Sequence, residues 1–333
     1  STAVDARRGE TLEVAVVVPG RLDGRAVVFS DRPGPGRVAW ADVGCPPLTI
    51  RWQRIEPRSE HVTTAPPNEG LAIYANAVVF GPRHGAWIGF DRLEYAAHPE
   101  PAGDDRWTLE LRDARPADPA WLAGRDVADA DLGTARLAVG VRLGDGPELH
   151  SPVPADGPRG EPTDRVFRYS FRRDDSLVGW MTAWFGVPYV FGSAGVGARS
   201  QAERFVGTDC ADLIVAAMRR SIRPGLPYSS VGGLVRALKK IAGPLDITRA
   251  GDAVDGYAPQ SGDILALGYL GAPELPRAWD HIVVLVADRG PDGAADGRLG
   301  PDDLVADIGD GRGLKFAPLG EQGDVRIAVL RGR

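Results

Sequence analysis

Cys210 stands in the stretch FVGTDCADLIVAAMRR (205–220), directly after Thr208-Asp209 and directly before an apolar run with helical spacing. Thr208 or Asp209 can cap such a helix, which places Cys210 in its first turn. Unpaired N–H groups and the positive end of the helix dipole there favour a thiolate over a thiol. The competing reading is a small buried hydrophobe, and position alone does not choose between them. A thiolate nucleophile needs an imidazole to take its proton and later return it to a leaving amine. The chain has five histidines, His61, His84, His98, His150 and His281, and only His281 lies beyond residue 165. It opens the strand-like run HIVVLVA (281–287), which places an imidazole rigidly at a sheet end. The next run, DLVADI (303–308), carries Asp307 among apolar residues, where a carboxylate is costly without a partner. Asp307 is therefore the candidate for orienting the imidazole, with Asp310 in the turn GDGRG as the other. The second cysteine, Cys45, leaves a Cys45–Cys210 disulfide as an alternative that would abolish any nucleophile.

The elements that must hold these residues differ between the two parts of the chain. At 333 residues, two domains are the expectation. Residues 1–150 read as an all-β, sandwich- or barrel-like domain. Runs such as TLEVAVVV, RAVVFS, LTIRWQRI, RWTLELRDA and ARLAVGVRL are strand-length, and Pro, Gly, Asp and Asn clusters separate them. The tract SPVPADGPRGEPTDR (151–165) reads as a linker. From 166 to 333 the pattern is helices first and strands afterwards, an α+β arrangement. Leu177, Trp180, Met181 and Trp184 make one helical stripe, and Leu213, Ile214, Ala217 and Met218 make another. The segment SSVGGLVRALKKIAG (229–243) predicts a third helix, with Ser at its start and Gly243 past its end. Strands then follow at 263–267, 281–287, 303–308, 314–319 and 325–330.

Four motifs in this part, PYVFG (188–192), TDCADLI (208–214), SGDILAL (261–267) and DHIVVLV (280–286), follow one another in a telling order. In order and spacing they resemble the NlpC/P60 family of papain-like cysteine peptidases, which cut peptidoglycan stem peptides. The resemblance covers roughly residues 170–333 and none of the β-rich part. It implies a papain-like C-terminal domain that hydrolyses amide bonds of the D-glutamyl–diamino acid type through an acyl-thioenzyme. Cys210 would be the nucleophile, His281 the base and Asp307 the orienting group. Tyr189 would line the site near the oxyanion, and Asp209 would cap the helix and form part of the site wall. The resemblance also implies a peptidoglycan peptide as substrate, no resident cofactor, and an extracytoplasmic or secreted protein of the bacterial cell envelope. The opening STAVDARRGE lacks an initiator Met and the apolar core of a signal peptide, which fits a start after a removed leader.

The chain departs from the family at several points. Ala211-Asp212 stands where the family has Ser-Gly, Phe191 where it has Trp, and Asp280 where a small residue is common. Asp307 replaces the more usual third group, and segments 268–280 and 288–303 are inserted around the strand of His281. These departures bear on the walls of the groove and hence on the substrate more than on the reaction. Two alternatives stay open: a cysteine amidase or acyltransferase on another substrate, and a catalytically idle papain-like module that binds a wall polymer.

The insert DGAADGRLGPDD (292–303) places Asp292, Asp296, Gly297 and Asp303 at positions 1, 5, 6 and 12 of a calcium-loop template. Ala294 at position 3 removes one oxygen ligand, and a Gly/Asp-rich segment between strands is more simply a long hairpin connection. Calcium at Asp292, Asp296 and Asp303 is thus the one metal candidate. A net charge of −6 gives no footprint for nucleic acid. No stretch reaches the ~18–20 apolar residues of a membrane span.

Overall fold

The computed structural model describes residues 3–30, 34–44, 46, 48–58, 73–75, 89–90, 95–101, 105–122, 124–153, 165–191, 193, 200–271, 279–309 and 313–332. The architecture is mixed α and β, mostly sheets with few helices, and no helix is long and apolar enough to cross a membrane. Up to His150 the described elements are strands and short 3-10 turns. Of the expected linker, 151–165, residues 154–164 lie outside the described residues.

The first large sheet has the order β1 (Ala3–Arg7), β6 (Phe167–Arg172), β4 (Gly133–Leu143), β2 (Leu48–Pro57), β3 (Tyr95–Pro99), with β5 (Glu148–His150) beside β4. All its pairings are antiparallel except that of β1 with β6. Ile50 and Trp52 of β2 are buried while Arg51 between them is exposed, as period-two alternation requires. β1 and β6 were not among the expected strands. In β6 the polar Arg168 and Ser170 are buried as fully as Tyr169 and Phe171. FRYSFR (167–172) alternates apolar and polar residues as a strand should, but its inner polar positions are paired inside the protein rather than facing water, Arg168 meeting Asp5 of β1 at 2.8 Å.

The second sheet is wholly antiparallel, in the order β7 (Lys239–Ile247), β12 (Val325–Arg331), β8 (Ile264–Tyr269), β9 (His281–Ala287), β10 (Leu304–Ile308), β11 (Leu314–Pro318). Both of its faces are covered. Ile264, Ile282, Val284 and Ala306 join the core that contains the helices, while Leu265, Val283, Leu285 and Val305 pack with Ile247 and Leu299 on the other side. That double burial is why these strands read as unbroken apolar runs. The helix-side core also takes in Ile50, Trp52, Tyr169 and Phe171 of the first sheet.

Three helices are described: α1 (Leu177–Met181), α2 (Cys210–Ser221) and α3 (Val231–Ala237). Ser176 and Ser230 cap α1 and α3 through their hydroxyls. The helix expected over 229–243 stops at Ala237, because Leu238 is already extended and Lys239 onward pairs with β12. Gly232 and Gly233 weaken the helix, whereas β-pairing satisfies the backbone and lets Ile241 and Leu245 pack on the second core.

Candidate active site

α2 begins at Cys210. Asp209 is the cap, its carboxylate accepting the Asp212 N–H at 2.9 Å, an interaction worth about 1 kcal/mol in typical helices. The predicted stripe of Leu213, Ile214, Ala217 and Met218 is fully buried, and Arg219 and Arg220 occupy the last turn, where the dipole favours cations. The helix packs against α1 and β9, which brings its start to the start of β9. Cys210 is a free, half-buried thiol; Cys45 lies outside the described residues. As the first helical residue, Cys210 has an N–H with no acceptor within the helix, a donor suited to an oxyanion.

His281 meets Cys210 on one side and Asp307 of β10 on the other. Its Nε2 lies 2.7 Å from Asp307 Oδ1, and it is hydrogen-bonded to Cys210. With Nε2 engaged by the carboxylate, Nδ1 is the nitrogen available to the sulfur. Burial alone would push the imidazole down. The charge interaction with Cys210, the hydrogen bonds to Asp307 and Cys210, and the Asp307 charge together outweigh it and hold His281 well above its usual range. Burial alone would push Asp307 up; His281 by hydrogen bond and charge, then Gln322 and Lys315, hold it below the usual carboxylate range. A base held up and a carboxylate held down beside a half-buried thiol can store the sulfur's proton and hand it on. Asp310, the other candidate for the third group, lies outside the described residues.

Two further features build the wall. Tyr189 is buried and bridges to Thr208 in parallel; the Val190 N–H donates to Thr208 O at 3.0 Å and the Thr208 N–H to Pro188 O at 3.1 Å. This close approach needs Gly207, where a Cβ would collide with the Val190 side chain. The segment carrying Tyr189 is thus sewn to the residues just before Cys210. Ser193 completes the seam: it accepts the Asp209 N–H at 3.1 Å and its hydroxyl donates to Asp212 Oδ2 at 2.6 Å. Ala211 and Asp212 are both buried, with Ser193 as the partner of the carboxylate.

Sequence reasoning missed Ser193 and Gln322. Asp212 lies in the first turn of α2, where the dipole alone favours an acid, so its burial and its need for a donor could not be read from the sequence. Nothing in the sequence linked Gln322 to Asp307. Asp280, before His281, turns its carboxylate to the Tyr269 N–H at 3.2 Å and so ties the two ends of the 268–280 insert.

The calcium candidates serve the local backbone. Asp292 Oδ1 accepts the Ala294 N–H and Asp296 Oδ1 the Arg298 N–H. Asp303 is fully buried and accepts the N–H groups of Arg289 and Gly300. Burial pushes Asp303 up to about 6, against those two N–H donors and with the charges of Asp288 and Asp296 adding to the rise. Among the described residues no three His, Cys, Asp or Glu side chains gather as a metal site. No family model matches the chain, and comparison with curated proteins and with solved structures gives no significant match either.

Proposed function

We propose that the protein is a cysteine hydrolase of papain-like design in its C-terminal part, acting on amide bonds of peptidoglycan stem peptides. The observation that carries this reading is the line of contacts Cys210–His281–Asp307, with the sulfur at the start of α2. The thiolate attacks the scissile carbonyl, and the Cys210 N–H steadies the oxyanion. The imidazolium of His281 protonates the departing amine as the C–N bond breaks. Water, deprotonated by His281, then opens the thioester, returning the carboxylic acid and the thiol. Asp307 keeps the ring oriented and its charge balanced throughout. The four family-like motifs support the substrate class and, with it, action in the cell envelope. In this reading the β-rich part, residues 1–150, targets the enzyme or shapes its groove. The test is hydrolysis of defined muropeptides by Cys210→Ala: turnover should vanish while the circular dichroism and melting midpoint stay those of the wild type. Turnover that survives the substitution would overturn the mechanism.

A further inference from the structure

His281 is the inner partner of Asp307; the outer partner is a neutral amide. Gln322 Nε2 donates to Asp307 Oδ2 at 2.9 Å, while Oδ1 faces His281 Nε2 at 2.7 Å. The two oxygens are engaged from opposite sides, so the carboxylate cannot turn about its Cβ–Cγ bond without losing one of them. From the geometry we infer that Gln322 is a positioning residue of the Cys210 site, locking Asp307 in the orientation that the imidazolium needs. This rests on the reading of Cys210 as the nucleophile.

The amide itself is held firmly. Gln322 ends a 3-10 turn, Leu319–Gln322, that follows β11 (Leu314–Pro318). The Leu319 N–H donates to Asp303 O at 2.7 Å and the Gly320 N–H to Pro301 O at 2.8 Å. Leu319 is fully buried, and a Cβ at Gly320 would stand 3.0 Å from that of Pro301. The end of the 288–303 insert is therefore the buttress of this turn, which gives that insert a structural task at the site.

The charged groups around Asp307 show why a neutral donor belongs here. Lys315 sits directly opposite Asp307 across β10 and β11, but its ammonium pairs with Glu321 at 3.0 Å. His281, with Cys210 beyond it, is the cation on the other side. A second cation on Oδ2 would compete with the imidazolium for the carboxylate's charge. An amide fixes the oxygen and leaves that charge for His281.

The experiment is the rate of Cys210 alkylation by iodoacetamide against pH, for the full-length wild type, Gln322→Met and Gln322→Asn. Methionine keeps the length and removes the donor; asparagine keeps the donor and removes the reach. Loss of the donor raises Asp307 and weakens its hold on the imidazolium. The acid limb of both variants should therefore move up by roughly 0.5–1 pH unit. On muropeptides kcat should fall several-fold with KM unchanged. An acid limb that stays in place or moves down, in variants whose wild type is faster than a model thiol, overturns the positioning role alone. A wild-type Cys210 no faster than a model thiol overturns the hydrolase reading and this inference together.

Discussion

Two of the buried ionic clusters among the described residues differ in kind: one sets a titratable imidazole beside a thiol, the other joins guanidinium groups to a carboxylate. The first is the Cys210–His281–Asp307–Gln322 line. The second stands at the other end of α2, where Asp5 of β1 holds two arginines, Arg168 of β6 and Arg220 of α2, each at 2.8 Å. Their guanidinium groups lie over aromatic rings: Arg168 at 4.2 Å and Arg220 at 4.9 Å from the centroid of Phe205, which itself stacks on Trp184 at 4.3 Å. Arg136 of β4 donates to the Phe205 carbonyl, and together these contacts hold Phe205 at φ 56, a left-handed conformation that side chains other than glycine's seldom adopt.

Both carboxylates, Asp5 and Asp307, are held low by their cations, but the bases shift in opposite senses. In the second cluster burial is the largest effect and pushes the bases down, Arg136 to about 10 and Arg168 likewise below its usual value. Both stay charged near neutrality, so nothing there titrates. At the site, partners overcome burial and push His281 up, and the group concerned is one whose proton is exchangeable near neutral pH. Buried charge can serve chemistry where a titratable member faces a thiol within reach. Elsewhere it ties one element to another, here β1 to α2.

This contrast can be broken by substitution. The largest effect should come from Asp307→Asn, which leaves an amide in place of the charge and permits the wrong tautomer of His281. Muropeptide turnover should fall roughly 10²–10⁴-fold, measured as initial rates. The same variant sharpens the electrostatics. Asp307, held low, contributes stability above about pH 4 that is lost as pH falls through its folded value. His281, held high, contributes fully below about pH 6.5 and loses its share as pH rises through its folded value. The stability difference between wild type and Asp307→Asn should therefore be flat between those limits and shrink outside them, as urea unfolding at several pH values would show.

Asp5→Asn comes next. It strips the shared counter-charge from two largely buried arginines and should cost about 3 kcal/mol in urea unfolding, with turnover per folded molecule unchanged. A fall in turnover comparable to that of Asp307→Asn would erase the distinction between the clusters. The smallest effect belongs to an exposed pair of similar geometry, Arg326 with Asp246 at 2.8 Å. Solvent screens it, so Arg326→Ala should leave the melting midpoint indistinguishable from wild type.

α2, its cap and all but the first strand of the second sheet could be read from local pattern. Helical spacing after Cys210, a capping Asp one residue before it and apolar runs bounded by turns are properties of adjacent residues. His281 and Asp307 stood out because each opens or interrupts such a run. The end of α3 was not legible: Lys239–Ile247 becomes a strand because β12, some eighty residues away, offers it partners. β6 was missed although FRYSFR alternates; what the pattern could not give is that its polar residues are paired with β1 across the fold. Ser193 and Gln322 are ordinary polar residues whose roles exist only through the carboxylates they meet. The sequence by itself determined which side chains have the types suited to chemistry and most of the local elements that present them. Tertiary structure alone decided which of them meet, because hydrogen bonds between distant residues leave no periodic trace along the chain.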